Sequence, residues 1–456
     1  MKKGVFAAFA VFLLLLVCGI VLWIVWPRRD AAGSGQAGSV RLPETSAALP
    51  ADKPASEPSV NPSAAREFAP VARQGPAETR PAGPEKRKAL KPATTAVRDP
   101  NAIRRDWILR FKNRRMLEEF MLKAGNRQIV VADIIPSLDA VRLRDISLEV
   151  LLSLVEEGDA EFEYWPNYYA GLPRPPVRLS PELAPPGGYK GFGPGAFDWL
   201  EMPEDRATWG RGVKIAVLDS GVGMSPAVAE SRITRIDLMG GQSGVGNGVN
   251  DHATAVAAIL AGALPGREGV APGAEIISIR IVGPDGTGDS FTLAKGIEEA
   301  IARGARVINL SVGSHGDSPL VRIAVEHALA EGIVVVASVG NDAVEGVTYP
   351  ARYSGVVAGT AVDADRQHVY FANRGPQVGI AAPGLEVWAP SSTDTAFRFT
   401  GTSAATPFVA GSVAGILSIE PGLKPVEVAA LLLRYSNDAG LPGKDSEFGL
   451  GVLDLR

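Results

Sequence analysis

Cysteine is nearly absent from this chain: among 456 residues there is one, Cys18. It lies in an N-terminal apolar run, so the part expected to fold carries no disulfide. Cysteine usage therefore does not decide between a reducing and an oxidising compartment. Charge of one sign is also scarce. Lys and Arg total 46 against 50 Asp and Glu, a net of −4 with no large basic block, which argues against a nucleic-acid partner. Aromatic residues are almost missing between residues 30 and 100, where Pro, Ala, Ser and Gly dominate. That composition cannot bury a core and reads as a linker, a coil spanning on the order of 45 Å. The apolar content of the whole, 46%, is ordinary, and the length suffices for one large domain plus a smaller one.

What is present begins with Lys2 and Lys3, an uncharged run from Gly4 to Trp26, and then Arg28 and Arg29. About 20 apolar residues cross a bilayer as a helix. Signal peptides have shorter cores and end in small residues, whereas this run ends Trp23-Ile24-Val25-Trp26, with aromatics where an interface belt sits. Residues 1–27 are therefore expected to be an uncleaved membrane anchor. Two alternatives stay open: a removed signal peptide, and a lipid-modified Cys18 after Leu15-Leu16-Val17.

Residues 28–102 form the linker, and order resumes close to Asn101. Trp107–Phe111 alternates as a strand, and Arg115–Lys123 has helical spacing with Gly125 as its stop. Gln128–Ile135 and Ala140–Leu143 read as strands, Leu148–Val155 as a helix and Phe162–Trp165 as a last strand. The order β-α-β-β-α-β over residues 103–170 predicts a small ferredoxin-like α+β domain. A Pro- and Gly-rich connector, 171–195, follows. From 196 to 456 apolar strands alternate with helical stretches, among them Val213–Leu218, Glu275–Val282, Val307–Leu310 and Ile333–Ala337 as strands and Phe291–Arg303 as a helix. That alternation predicts an α/β fold, a parallel sheet with helices on both faces, whose sites form beyond the carboxyl ends of strands.

Four polar residues fall at such places. Asp219 ends the first of these strands; His252 opens the small-residue helix HATAVAAILAG. Asn341 follows the strand Ile333–Ala337. Ser403 stands at the mouth of an apolar helix in FTGTSAATPFVAGSVA, residues 399–414, where the positive end of the helix dipole and unpaired N–H groups favour an oxyanion. Pro407 falls early in that helix, where a missing N–H is expected to cost little. Each residue alone reads equally well as a turn or cap; the set, in the order Asp, His, Asn, Ser, does not.

On these residues the chain resembles the subtilisin-like serine proteases. The motifs VKIAVLDSGV, HATAVAAILAG, GVAPGAEIISIRI, GIEEAIARGARVINLSVGS, VVVASVGND, YPARYSGVVAGTAV and GTSAATPFVAG occur in the family's order, and FGLGVLDLR is similar to its closing segment. The resemblance implies Ser403 as nucleophile, His252 as general base and acid, Asp219 as its orienting carboxylate, and Asn341 as oxyanion donor beside the Ser403 N–H. It implies that a substrate strand lies between Ser311-Val312-Gly313 and the edge Gly286–Ser290, with Gly288, Asp289 and Ser290 on it. No cofactor is required by this chemistry. After Leu260 the segment AGALPGREGVAP lacks the Asn/Asp-rich loop of the strongest family calcium site, which leaves room for weaker sites only.

The chain departs from the family pattern at Ala253 and Ala255, usually Gly and His, and at Ala404, usually Met. The loop Asp342–Thr348, with Asp342 and Glu345, is short. The family often carries a ferredoxin-like pro-segment that assists folding and inhibits. Residues 103–170 are placed to be one, with Tyr164–Leu172 in the cleft and self-processing near Asn167–Leu172. Together these imply a self-processed zymogen endopeptidase acting on proteins or peptides. The membrane helix would hold it on the non-cytoplasmic side until maturation releases the catalytic domain. The competing expectation is a silent binding module with its pro-domain permanently seated.

Overall fold

The computed structural model describes residues 99–127, 129–156, 162–174, 176, 187–203, 205–240, 249–393 and 395–455. The expected anchor and most of the expected linker lie outside the described residues.

The small domain runs β1 (Ala102–Phe111), α1 (Arg114–Asn126), β2 (Val131–Ile135), β3 (Ala140–Arg144), α2 (Leu148–Glu156) and β4 (Phe162–Gly171). Asn113 starts α1 by accepting the Met116 N–H at 3.1 Å, the usual N-cap contact. Leu117, Phe120 and Ala124 form its buried stripe. Gly125 does not end the helix, which closes two residues later with Arg127 as its cap. The four strands pair antiparallel in the order β4-β1-β3-β2. One face packs Trp107, Leu109, Phe111, Val141 and Leu143 against the two helices. The other turns Ile108, Ile135 and Ala140 into the core of the larger domain. Both faces of this small sheet are thus buried.

The larger domain begins with the short α3 (Ala196–Trp199), followed by β5 (Lys214–Asp219), β6 (Ile233–Asp237), α4 (Val249–Ala261), the hairpin β7 (Ala263–Leu264) and β8 (Arg267–Glu268), and β9 (Glu275–Arg280). Then come β10 (Thr287–Asp289), α5 (Ser290–Ala302), β11 (Val307–Leu310), α6 (Pro319–Ala330), β12 (Val334–Ser338), β13 (Val357–Val362) and β14 (Ile380–Pro383). The chain closes with β15 (Val387–Pro390), β16 (Ala396–Phe399), α7 (Thr402–Ile419), α8 (Pro425–Leu432), β17 (Ser436–Asn437) and β18 (Val452–Leu453).

Nine strands make one sheet, ordered β17-β18-β14-β13-β12-β11-β5-β9-β6. All its pairings are parallel except β17 with β18. Strand residues alternate between two cores. Ile215, Val217, Val307, Val334 and Val336 face the α4 and α7 side. Ala216, Leu218, Ile308, Leu310, Val335 and Ala337 face α5 and α6. Helices on both faces explain why these strands read as continuous apolar runs. Helix α7 is long and apolar enough to cross a membrane, but most of it is buried in the protein core. It approaches its neighbours closely because it carries glycines: a Cβ on Gly411 would meet Val270 at 2.5 Å, and one on Gly415 would meet Trp209 at 3.0 Å.

The two domains share a sheet. Strand β10 of the larger domain joins the edge of β4, giving the five-stranded order β10-β4-β1-β3-β2. Strand β4 therefore runs well past the expected Trp165, because its last residues find partners in the other domain.

Candidate active site

Asp219 is the final residue of β5 and is fully buried. Its Oδ1 accepts the Ser220 N–H at 2.6 Å. Both carboxylate oxygens lie against Nδ1 of His252, at 2.9 and 3.0 Å. A buried carboxylate at Nδ1 places the ring proton there and leaves Nε2 as the basic nitrogen. His252 sits in the first turn of α4. The Phe399 ring stands edge-on to the imidazole, with centroids 5.1 Å apart and planes at 87°. Two independent contacts thus hold the imidazole plane.

Ser403 is the second residue of α7 and is buried. Its Oγ donates to the Ser311 carbonyl at 3.4 Å, while the Ser311 hydroxyl donates to the Ser403 carbonyl at 3.3 Å. The second bond has a backbone cause. Pro407 is the sixth residue of the helix and has no N–H, so the Ser403 carbonyl lacks its intrahelical donor. Pro407 lies within the first turns as expected, but its missing N–H does remove a helix bond, and Ser311 replaces it. Asn309 supports this arrangement by donating from Nδ2 to the Ser311 hydroxyl at 3.2 Å.

Asn341 follows β12 after Gly340, whose φ of +105° and lack of a Cβ are both needed, since a Cβ would stand 2.5 Å from Asn373. The Asn341 Oδ1 accepts from both the N–H and the hydroxyl of Thr402, each at 2.9 Å. That fixes the amide, and Nδ2 is left to donate elsewhere. It reaches the Arg174 carbonyl at 3.4 Å. Gly401, at φ +145°, allows this approach because a Cβ there would lie 2.9 Å from Asn341 Nδ2. The sequence gives neither Thr402 nor Phe399 a role in the site. Their only signal was proximity to Ser403, which does not distinguish them from helix-capping residues.

The expected edges of the cleft are filled by the chain itself. Gly171 pairs antiparallel with Gly313, N–H to carbonyl at 3.0 Å and carbonyl to N–H at 2.9 Å. Across from it, Thr287 pairs with Gly171, Gly288 with Ala170 and Asp289 with Tyr169, and the Leu172 N–H reaches the Gly286 carbonyl at 3.0 Å. Ser314 adds a hydroxyl bond to the Tyr169 carbonyl at 2.6 Å. Val312 is buried in the core below, so its part in the edge is main-chain only. The stretch Asn167–Leu172, where a cut was expected, is mostly strand; the carbonyl beside the Asn341 amide belongs to Arg174.

Asp289 and Ser290 turn their side chains toward the small domain. Asp289 Oδ1 caps α5 through the Thr292 N–H at 2.9 Å, and Oδ2 accepts from Arg142 Nη1 at 2.8 Å. Arg142 also binds Asp106, with contacts of 2.6 to 3.1 Å. Burial works against the Arg142 charge, but the Asp106 hydrogen bond and the Asp289 carboxylate outweigh it and hold its pKa above the ordinary value. Ser290 donates to Asn167 Oδ1 at 2.7 Å, which also accepts the Phe291 N–H at 3.0 Å. Asn167 thus serves as a second cap on α5 from the other domain.

In the loop after Asn341, Asp342 Oδ2 lies 3.5 Å from His315 Nε2. Ala253 and Ala255 are fully buried core positions. Among the described residues, no group of three or more His, Cys, Asp or Glu is placed to hold a metal ion.

The Peptidase_S8 family, described as the Subtilase family, matches residues 210–451. Subtilisin BL of Lederbergia lenta is 34% identical over 258 residues, covering 55% of this chain and 91% of that protein. The thermostable alkaline protease of Halalkalibacterium halodurans is 34% identical over 264 residues, covering 56% of this chain and 69% of that protein. Among solved structures, fervidolysin from Fervidobacterium pennivorans, a keratinolytic enzyme related to subtilisin, aligns with a TM-score of 0.64 at 24% identity. The match covers 78% of this chain and 61% of that one, and at this identity it speaks for the fold.

Proposed function

Because the chain belongs to the subtilase family of serine endopeptidases, we propose that Asp219, His252, Ser403 and Asn341 are its catalytic residues, and that it is made as a zymogen whose small domain blocks its own cleft. The observation that carries the first part is the buried Asp219 carboxylate on His252 Nδ1, with Asn341 fixed by Thr402 next to the nucleophile.

Ser403 Oγ attacks the scissile carbonyl as its proton passes to His252 Nε2. The oxyanion is met by Asn341 Nδ2 and the first-turn N–H of Ser403. The C–N bond then breaks, His252 protonates the leaving amine, and an acyl ester remains on Ser403. Water adds by the same route in reverse, freeing the acid and the serine hydroxyl. Ser403 and His252 carry the proton transfers, Asp219 orients the imidazole and Asn341 stabilises the oxyanion, so the chemistry asks for no cofactor; a weak calcium site would act on stability alone. A protein or peptide substrate would add as a strand between Gly286–Asp289 and Ser311–Gly313, held mainly through its main chain.

Residues 103–170 act as an intramolecular inhibitor in this reading, since the end of β4 occupies both substrate edges. The N-terminal run 1–27 anchors the precursor in a membrane with the catalytic domain outside the cytoplasm, and 28–102 spaces it from the surface. Anchor, spacer and inhibitor all precede any cut that frees the enzyme, so maturation detaches the catalytic domain from the membrane. A fluorophosphonate probe tests the active-site assignment: it should label Ser403 once the cleft is open, and labelling lost with His252→Ala supports the dyad. No labelling after the small domain has been removed would favour the silent binding module. Active, processed enzyme that stays with membranes after the inhibitor has dissociated would contradict release.

A further inference from the structure

After Gly171, the last residue of β4, the sequence reads Leu172-Pro173-Arg174-Pro175-Pro176. Gly171 pairs antiparallel with Gly313, so the register places residue 173 opposite Ser311. Most residues at 173 would offer an N–H to the Ser311 carbonyl; proline has none. That carbonyl accepts the Ser403 hydroxyl instead. The nucleophile's proton is thereby engaged by a carbonyl, which cannot act as its base.

A second obstacle belongs to the neighbouring register, in which the Arg174 N–H would meet the Ser311 carbonyl. The Arg174 carbonyl is the one beside the Asn341 amide, and the next residue is proline. Cleaving that bond requires His252 to protonate a tertiary nitrogen. A proline nitrogen carries a ring carbon where another residue carries hydrogen, which hinders protonation by an imidazole. Sliding the segment does not help. Every peptide bond from Leu172 to Pro176 has proline on at least one side, so each register lacks either the N–H for Ser311 or an ordinary leaving nitrogen.

We propose that Leu172–Pro176 is an inhibitory segment that the enzyme's own site cannot cut, with Pro173 and Pro175 as the residues that keep the precursor latent. The first activating break then falls at a bond outside this segment. This deepens the zymogen reading above and rests on it.

The test uses the full chain, its P173A/P175A form, P175A alone, and each with S403A, incubated alone and followed by intact mass and N-terminal sequencing. The wild type should give no fragment beginning at residues 173–177. The double variant should give one, faster by on the order of 10² or more, the scale of the general acid catalysis that the tertiary nitrogen forfeits. S403A should abolish it. P175A, which alters only the leaving nitrogen, should show part of the gain. A Ser403-dependent wild-type fragment starting within 173–177 overturns the proposal. So does an uncut double variant whose preparation, opened by limited trypsin digestion, hydrolyses casein. If trypsin-opened wild type neither hydrolyses casein nor takes a fluorophosphonate label, the protease reading fails, and this inference with it.

Discussion

Replacing Asp289 by Asn probes how the small domain is held. The two carboxylate oxygens do separate work: Oδ1 caps α5 at Thr292, and Oδ2 takes the Arg142 guanidinium at 2.8 Å. Asparagine keeps the first function, since it caps helices as well as aspartate does. It destroys the second by turning an amide N–H₂ toward a guanidinium N–H. Both side chains are more than nine-tenths buried, so water does not repair the mismatch. Breaking a buried ion pair costs about 3–5 kcal/mol. Arg142 keeps Asp106, which places the loss near the lower end, about 3 kcal/mol, or roughly a hundredfold in the seating equilibrium. The assay is the rate of fluorophosphonate labelling of Ser403 in the intact precursor, which follows the fraction of molecules with an open cleft. Labelling should rise about a hundredfold in D289N and depend little on salt, because buried pairs are poorly screened. A rate within a few-fold of wild type would refute the claim that this pair seats the domain.

Removing the proposed oxyanion amide with Asn341→Ala should lower kcat by about 10²–10³ with KM little changed, a magnitude established on subtilisin, a relative of this chain; steady-state kinetics on a peptide ester checks it. Phe399→Ala removes the edge contact on His252 and should cost about 0.5–1.5 kcal/mol of positioning, read as a fall in kcat without a matching change in KM. His368 is buried, and burial first, then Arg374, lowers its pKa to about 4. The unfolded chain therefore binds the proton more readily, and stability should fall as pH drops from about 6.5 toward 4, by up to about 3 kcal/mol. Above pH 6.5 this histidine contributes no slope. As pH drops across that range the thermal midpoint of the wild type should fall relative to that of His368→Leu, which lacks the titrating group; parallel curves would refute the assignment.

The sequence exposed what is periodic and local. The order of strands and helices in both domains is legible because buried parallel strands are continuous apolar runs and α1 carries a clear stripe. Asp219, His252, Asn341 and Ser403 are legible because each sits where a strand ends or a helix begins. What stayed hidden depends on partners distant in the chain. Strand β4 reads as ending near Trp165 since Pro166 and Asn167 interrupt its pattern, yet its last residues are ordered by Gly313 and β10. Asn167 is expected only within the processing stretch, and nothing local shows that it caps the N-terminus of α5. Nothing near Arg142 in the sequence shows its pairing with Asp289, which lies far along the chain. Pro407 looked harmless because propensity alone does not show that Ser311 must replace the missing helix bond.

The most direct measurement is peptide mapping of the enzyme after fluorophosphonate treatment, with the small domain removed. A single adduct on the peptide containing Ser403, abolished in His252→Ala, is the result this account predicts. An adduct on another serine, or labelling of Ser403 that proceeds unchanged without the imidazole, would contradict it.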